Sequence, residues 1–372
     1  MKALTPFTHQ EEIHSMKSLK SLFLLSSSML VLAACGGNSA SNSSATGLSS
    51  SVTPSSESVS NKTTEVSSSE EEKEATLLAA YGACSYNFMS AYPGYTFKQL
   101  TFLTQSVEIY DDNTYALTLT SKMLSGSLSF DPQNNGDTTS AQEVVDRGQS
   151  LTRYYGSYTA KDEEGLITLD LAKPTSGYFL STGNLAGGAG SYVGAPAIEA
   201  LSILVDAETY SFDYAQLATI ADETLAMPEG VKNYLAGTFS FMSAYPGYTF
   251  KQVSGATQHV ELLADNTYVL TVTAKHLSGD LAFDPENTGN QEAVCNDRGA
   301  MMSVYKGTYT SSIEEGLDTV ELSVPTGGYV LGVGNLTAGA GYYTGEEMTL
   351  LTAGVEIVAD TENNSFDFAE LK

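Results

Sequence analysis

The sequence predicts an all-β protein: two tandem antiparallel β-barrel domains of about eight strands each, preceded by a disordered tether. Three observations predict this architecture: a long internal duplication, a hydrophobic period of two within each copy, and a serine-rich segment ahead of the first copy. The duplication is the most direct, since Phe88 to Gln99 returns residue for residue as Phe241 to Gln252. A repeated block of this kind indicates that one structural unit occurs twice.

The two copies stay aligned far beyond this block. Further matched segments follow in the same order at offsets of 151 to 154 residues: Asp112–Tyr115 with Asp265–Tyr268, Asp146–Gly148 with Asp297–Gly299, Gly183–Leu185 with Gly334–Leu336, and Ser211–Asp213 with Ser365–Asp367. This period is far too long for one unit of a solenoid, so we interpret each copy as a domain. Each copy is long enough to bury its own hydrophobic core.

Alternating apolar and polar residues predict the strands. In the second copy, Tyr268, Leu270 and Val272 alternate with threonines, and in the first copy Tyr115 and Leu117 do the same. This alternation is typical of half-buried antiparallel strands. Turn signals rich in Asn, Asp, Gly and Pro separate about eight such strands per copy, a spacing that favours a sandwich or a barrel.

Glycine-bearing strands and a short helix before each copy resemble the pattern of lipocalin-like, or calycin, barrels. The strands contain Gly237-Thr238-Phe239 and Gly307-Thr308-Tyr309, and short helices are predicted over 70–80 and from Pro228. The resemblance implies an up-and-down barrel in each copy, over residues 76–372. Lipocalins place a tryptophan near the start, whereas this chain contains none. A Greek-key sandwich is the alternative architecture.

The N-terminal segment has the order of regions found in a bacterial secretory signal. Basic Lys17 and Lys20 follow Met16, an apolar stretch follows, and the segment ends in Leu32-Ala33-Ala34-Cys35. This ending resembles the bacterial lipobox, which implies that Cys35 is diacylated and becomes the first residue of the mature protein. The expected location is extracytoplasmic, lipid-anchored to the bacterial cell membrane or envelope. An ordinary signal peptide with a chance cysteine is the alternative.

The segment after Cys35 is predicted to be a flexible tether. It consists mostly of Ser, Thr, Asn, Ala and Glu, a composition that cannot bury enough apolar surface to fold. The predicted organisation is therefore a signal peptide over 1–34 with its true start at Met16, a tether over 35–69, a first barrel over 70–218, a linker over 219–233 and a second barrel over 234–372.

The charge balance limits the classes of partner. The chain has 17 basic and 44 acidic residues. Removing residues 1–34 takes away three basic and two acidic residues, which leaves 14 and 42 and a net charge of −28. Nucleic acids and anionic membrane surfaces would be repelled. The acidic residues are explained most simply by a well-solvated protein surface. The alternative explanation is that they bind calcium or a cationic ligand.

Catalytic patterns are sparse. The mature chain has only two histidines, His259 and His276, whose positions in the first copy hold Ser106 and Met123, and no serine–histidine–aspartate motif is recognisable. Cys84 and Cys295 do not align with each other between the copies, so a disulfide framework is not indicated. Paired carboxylates remain a catalytic option, with Asp131 or Asp284 opposite Asp146 or Asp297, as in a glycoside hydrolase. The alternative is that these aspartates form structural ion pairs.

Two acidic loops are candidates for calcium binding. Oxygen-bearing side chains surround a glycine turn in both copies, which fits a hard cation. The candidate ligands are Asp131, Asn135, Asp137, Asp284, Glu286 and Asn290. No other cofactor is expected. A long polar hairpin connection is the simpler interpretation, because Asn, Gly and Pro mark turns in any case.

The duplicated aromatic block is the strongest candidate for ligand binding. Each copy places two tyrosines around a Pro-Gly turn, followed by a phenylalanine, and exposed rings of this kind stack on sugars or anchor proteins. The candidate residues are Tyr92, Tyr95, Phe97, Tyr245, Tyr248 and Phe250. The alternative is a plug whose rings pack into the barrel end.

These observations predict a non-enzymatic cell-surface lipoprotein whose barrels bind a small apolar ligand, a glycan or an envelope protein. A carboxylate-dependent glycoside hydrolase and a structural or adhesive spacer are the alternatives.

Overall fold

A computed structural model describes residues 75–89, 97–126, 144–163, 166–183, 191–242, 250–279, 295–334, 341–344 and 351–372. The predicted signal peptide, Cys35 and the predicted tether lie outside these residues. Within the described ranges all regular structure is β, and none of it is a helix with the length and apolarity to span a bilayer.

The described strands form two matching sets, one in each copy. The first copy contains β1 (Leu77–Met89), β2 (Phe97–Tyr110), β3 (Thr114–Gly126), β4 (Val144–Glu163), β5 (Leu166–Leu171), β6 (Ser176–Thr182), β7 (Ser191–Gly194), β8 (Pro196–Ile198), β9 (Leu201–Asp206), β10 (Ser211–Phe212) and β11 (Thr219–Thr224). The second contains β12 (Lys232–Met242), β13 (Phe250–Leu262), β14 (Thr267–Gly279), β15 (Cys295–Glu314), β16 (Leu317–Leu322), β17 (Gly327–Val333), β18 (Gly341–Thr344), β19 (Val355–Asp360) and β20 (Ser365–Phe366).

Each copy is a closed barrel of seven strands with additional strands outside the ring. The first ring runs β3-β2-β1-β10-β9-β5-β4 and closes through β3 and β4, while β6 and β7 extend the sheet beyond β4. The second ring repeats this order with β14-β13-β12-β20-β19-β16-β15, and β17 and β18 extend it. The ladders are antiparallel apart from the short pairs β1–β10 and β12–β20. The predicted tandem all-β barrels are thus confirmed, with seven strands in each ring.

The helices expected before each copy are wrong. Leu77 to Ala80 belong to β1, where Ala79 pairs with Ile109, and Glu229-Gly230 form a turn just ahead of β12. Local helix preference is weak compared with the pairing and burial of a whole strand. The first barrel therefore takes Leu77 to Ala80 into its first strand.

The interior of each barrel is filled by side chains. In the first barrel, buried tyrosines and aliphatic residues from all sides of the ring form one cluster, which includes Tyr81, Val107, Tyr115, Leu117, Tyr154 and Leu169. The second barrel repeats this cluster with Tyr234, Val260, Tyr268, Leu270, Tyr305 and Val320. A ring of about eight strands is just wide enough to be filled in this way.

Part of the predicted linker packs onto the first barrel. β11 pairs with β8, and Leu225 is buried in the first core. The predicted domain boundaries themselves stay a prediction.

Part of the outer face of each barrel is buried as well, against the other barrel. On β2, Val107 and Ile109 point into the first core, while Thr104 and Glu108 on the opposite face are also buried. Glu108 accepts a hydrogen bond from Tyr329 of the second barrel. The threonines that alternate with the core residues therefore lie in an interface between the two copies.

Residues at the centre of this interface meet their own counterparts. Thr120 and Thr273, which match at an offset of 153, have hydroxyl oxygens 3.4 Å apart. Phe102 lies against Gly255, its counterpart at the same offset, and a Cβ at Gly255 would come within 2.4 Å of the Phe102 ring. Contacts between equal positions characterise an isologous, twofold-related interface. The two copies therefore pack as a fused pseudo-symmetric dimer.

Contacts away from this centre recur with exchanged roles. Gly82 of the first barrel faces Leu331 of the second. Their counterparts are Leu235 of the second barrel and Leu180 of the first, which pack in one cluster. The exchange is what a pseudo-twofold axis between the copies requires.

We expect Gly255→Ala to lower the free energy of unfolding by about 1–3 kcal/mol, the usual range for overpacking a filled site. The matched control is Gly327→Ala, since a Cβ there meets nothing within 4 Å. Urea unfolding measures the free energy of unfolding of both variants. The exchanged pair Phe102→Gly with Gly255→Phe should recover stability relative to either single change, and equal losses for Gly255→Ala and Gly327→Ala would contradict the packing.

Candidate functional site

The long connections that carry the predicted binding residues all leave from one end of each barrel. Met89 pairs with Gln99, Phe97 with Gly126, and Gly126 with Val144. We call this the connection end, marked by the ends of β1, β3 and β6 in the first barrel and of β12, β14 and β17 in the second. The topology thus attaches the aromatic block, the acidic loop and the glycine-rich segment of each copy to the same end.

The side chains of these candidates are not among those that the structure describes. Tyr92, Tyr95, Tyr245 and Tyr248 lie in undescribed connections. Phe97 and Phe250 are placed in β2 and β13 by their backbone alone. The calcium candidates Asp131, Asn135, Asp137, Asp284, Glu286 and Asn290 also lie outside the described ranges. Their roles stay predictions.

The opposite end of each barrel is closed by short turns, and we call it the turn end. In the β2–β3 turn, Asp112 accepts hydrogen bonds from the backbone and hydroxyl of Thr114, and Asn113 has a φ of 63°. Asp265 and Thr267 repeat this arrangement in the second barrel. An Asp-Asn pair suits such a turn because both residues bond to the local backbone and Asn tolerates positive φ.

The chain enters the first barrel at the turn end. The Thr76 backbone N–H donates to the Asp111 carboxylate at 2.7 Å, and the Thr76 carbonyl accepts from the Asp111 N–H at 3.0 Å. These bonds fix the point at which the segment from the predicted tether reaches β1. The connection end therefore lies on the far side of the barrel from this point of entry.

A repeated Asp-Arg-Gly motif forms a β-bulge near the connection end. Gly148 has a φ of 102° and donates its N–H to Asp146 at 2.8 Å. Gly299 and Asp297 repeat this bond at 2.7 Å. A Cβ at Gly148 would come within 2.2 Å of the Thr182 carbonyl, so both the positive φ and the close approach require glycine. This explains why the motif occurs in both copies.

The aspartate of each bulge also binds a buried lysine. Lys122 is 2% exposed and donates to Asp146 and to Gln149, and Lys275 binds Asp297 in the same way. Burial lowers the pKa of Lys122, and the bond to Asp146 opposes that shift. Asp146 and Asp297 were candidates for a catalytic carboxylate pair, but their geometry here is that of structural ion pairs.

A second cluster of charged groups lies in the interface between the barrels. Arg153 donates to Glu108 at 2.8 Å and lies 3.6 Å from Glu261, the counterpart of Glu108. Tyr155 donates to Glu261 at 3.1 Å and Tyr329 to Glu108 at 3.2 Å. Charge-assisted bonds of this kind offset the burial of the carboxylates. One guanidinium thus joins equivalent glutamates of the two barrels.

His259 is a neutral member of the same interface. Its Nε2 lies 2.7 Å from Asn233 Oδ1 and 3.2 Å from the Tyr178 hydroxyl. Because Asn233 donates its amide to Tyr192, its oxygen is the acceptor, and we assign the imidazole proton to Nε2. Burial, with a contribution from Arg153, lowers the pKa of His259 to about 3.

One serine–histidine hydrogen bond was not predicted from the sequence. Ser254 Oγ lies 2.6 Å from His276 Nδ1, because β13 and β14 place the two residues directly opposite each other. A serine–histidine bond is one component of nucleophilic catalysis. The first copy has Thr101 and Met123 at these positions, so the pair is not part of the duplicated machinery. The strand register, which the sequence does not display, was the only signal that could have found it.

The described part of the chain offers no other recognisable reactive centre. It contains no group of three or more His, Cys, Asp or Glu side chains that could hold a metal ion. Cys84 is a free thiol that packs against the interface, and burial raises its pKa. A thiol of this kind is poorly activated for nucleophilic attack.

Comparisons with protein-family models, with curated proteins and with solved structures gave no match to this chain.

For the buried lysine, we expect Asp146→Ala to lower the free energy of unfolding by about 1–3 kcal/mol. This is less than the about 3–5 kcal/mol of a fully buried pair, since Asp146 is 39% exposed and water screens the charge. The control Lys122→Met, which removes the charge and keeps the volume, should change stability by less than about 1 kcal/mol. Chemical denaturation measures the free energy of unfolding of both variants. A larger loss of stability for Lys122→Met than for Asp146→Ala would contradict the role of Asp146 as the partner of a buried charge.

For His259, the unfolded chain binds a proton below pH 6.5, whereas the folded chain does so only near pH 3. As the pH is lowered from 6.5 to 3, His259 should therefore reduce the free energy of unfolding by about 1.4 kcal/mol per pH unit. His259→Ser, which restores the residue of the first copy, should flatten that part of the curve of stability against pH. An unchanged slope would show that His259 is protonated in the folded protein.

Proposed function

We propose that this protein is an envelope-anchored, non-enzymatic binding protein that recognises a neutral glycan through the connection ends of its barrels. The observation that supports this most directly is the position of the chain entry. The described chain enters the first barrel at the turn end, through Thr76, whereas the strands that flank the tyrosine block end at the opposite, connection end. Loops held by a rigid scaffold are the usual place for binding residues.

The filled barrel interiors argue against a small apolar ligand inside the barrel. Lipocalin-type binding needs an internal cavity, and the described interior positions of both barrels are occupied by packed tyrosine and aliphatic side chains. The lipocalin-like relationship therefore remains a proposal about ancestry and does not supply the mode of binding. We therefore place the proposed binding at the connection ends, outside the barrel interiors.

The chemistry of the connections favours a neutral sugar over a charged polymer. Two tyrosines around a predicted Pro-Gly turn would offer flat apolar faces with hydroxyl groups at their tips, which suits stacking on a sugar ring and bonding to its hydroxyls. The net charge of −28 on the predicted mature chain would repel anionic polymers.

The test is binding to the neutral polysaccharide fraction of the source bacterium's envelope, immobilised and read by interferometry. The variant Tyr92→Ala, Tyr95→Ala, Tyr245→Ala, Tyr248→Ala should lose at least about tenfold in affinity, taking as a guide the about 1–3 kcal/mol that one aromatic side chain contributes when it stacks on a nucleic-acid base. The control Ile313→Ala with Leu317→Ala removes exposed apolar side chains at the turn end and should bind like the parent.

Native mass spectrometry of the fragment from Glu70 onward, purified from its own host with and without chelator, gives an independent readout. A retained sugar would support the proposal, while a calcium ion lost on chelation would add a metal to the site. Equal binding by the four-tyrosine variant and the parent would overturn the proposal, and a co-purified protein would redirect it to an envelope protein partner.

A further inference from the structure

The second barrel has a charged pair at its turn end where the first barrel has two apolar residues. Lys232 Nζ lies 3.1 Å from Asp318 Oδ2, and the two residues are 86 positions apart in the chain. Their counterparts in the first copy are Ala79 and Ile167, which pack against the hydrophobic core. Both members of the pair thus differ between the copies together, which indicates that they act as a unit.

The strands direct both side chains into the second barrel. Lys232 and the core residue Tyr234 lie two positions apart on β12 and therefore share a face of that strand. Asp318 and the core residue Val320 have the same relationship on β16. In the ring, β20 and β19 separate β12 from β16, so the pair spans the barrel interior instead of joining neighbouring strands.

Asp318 carries one oxygen that this pair leaves unsatisfied. The side chain is 0% exposed, and its Oδ2 accepts hydrogen bonds from Lys232 and, at 2.8 Å, from the Tyr234 hydroxyl. Within the part of the chain that the structure describes, the buried Oδ1 has no hydrogen-bond partner. Burying an unpaired carboxylate oxygen is costly, and buried polar atoms are normally paired. An ion pair alone therefore does not explain why an aspartate occupies this position.

We propose that Lys232 and Asp318 condense to an intramolecular amide, with a bond between Lys232 Nζ and Asp318 Cγ. The Nζ–Cγ bond forms and the Cγ–Oδ1 bond breaks. Two of the three ammonium protons leave with Oδ1 as one water molecule, and the third stays on the amide nitrogen. Atoms and charge balance without an oxidant, a reductant or any other co-reactant. The oxygen that leaves is the one that has no partner.

The arrangement of the three side chains favours this reaction. Reacting atoms about 3–3.5 Å apart are close to the geometry of attack, and Oδ2, 3.1 Å from the amine, is bonded directly to the carbon that is attacked. The Tyr234 hydroxyl donates to Oδ2 and would stabilise the negative charge that develops there. The product replaces two charges by a neutral amide, which a dry interior tolerates far better.

The lysine–aspartate pairs near the connection end differ in the burial of the carboxylate. The side chains of Asp146 and Asp297 are 39% and 40% exposed, so water solvates their charge and an ion pair is stable there. Asp318 has the opposite environment, with a fully buried carboxylate and an amine that is 43% exposed. We therefore assign the amide bond to Lys232 and Asp318, which react with each other and not with an external substrate.

Such a bond would fasten the beginning of the second barrel to its far side. Lys232 is the first residue of β12, directly after the segment that joins the two barrels. A force transmitted along this segment would reach the cross-link before it reaches the rest of the barrel. A cross-link over 86 positions also restricts the unfolded chain, as a disulfide over a long loop does. This inference does not depend on the proposed binding function.

The test is peptide mapping of the full mature chain, purified from its own host, denatured and digested with trypsin. The amide predicts a branched peptide that contains Lys232 and Asp318, is lighter by one water than the two separate peptides, and shows no cleavage after Lys232. Denaturing gel electrophoresis gives a second readout, because a chain with a covalently closed loop stays more compact and should migrate faster.

Two variants serve as matched controls. Lys232→Arg keeps the positive charge and the ion pair, but its guanidinium stays protonated and does not act as the nucleophile. Lys232→Ala with Asp318→Ile restores the residues of the first copy and provides the reference if Lys232→Arg fails to fold. Both should give separate peptides and slower migration than the parent. Complete cleavage after Lys232 in the parent, with no water lost, would overturn the amide bond and leave a buried ion pair.

Discussion

Part of the outer face of each barrel is buried against the other barrel, and the rest of the structure depends on this burial. The strands nearest the interface are buried on both sides, so their polar residues need partners within the protein. Arg153, shared by Glu108 and Glu261, provides the central one. Around it, tyrosine hydroxyls bond to the carboxylates, and threonines from both copies meet on the axis. Leaving any of these groups unpaired would destabilise the interface.

This interface links the architecture to the proposed function. The pseudo-twofold contacts of Thr120 with Thr273 and of Phe102 with Gly255 define how the two barrels are placed relative to each other. Thr76 enters the first barrel at the turn end, opposite its connection end. A duplication that merely joined two barrels by a flexible linker would leave their orientation free. Here the packed interface fixes the orientation of the two barrels.

The sequence predicted the repeating parts of this protein well and the relationships between them poorly. Alternation around Tyr115 and Tyr268 identified strands whose core residues are buried as expected. The same alternation predicted half-buried strands, yet Thr118 and Thr120 are buried at the interface. The helix predicted through Leu77 was wrong because strand pairing outweighed local preference. The Asp-Arg-Gly motif was visible as a repeat, but its bulge and its lysine partner were not.

The sequence by itself determined the duplication, the all-β class, the strand alternation and the position of the turns, because each follows from composition and periodicity over a few neighbouring residues. The tertiary structure alone decided the seven-strand closure, the pairing of Ser254 with His276, the lysine–aspartate pairs and the pseudo-twofold interface. Each of these joins residues from different strands that are separated in the sequence, such as Ser254 and His276, which are 22 positions apart. Their contact depends on strand register and on which barrel face meets which, and a periodic pattern is the same on either side of an interface or a solvent boundary.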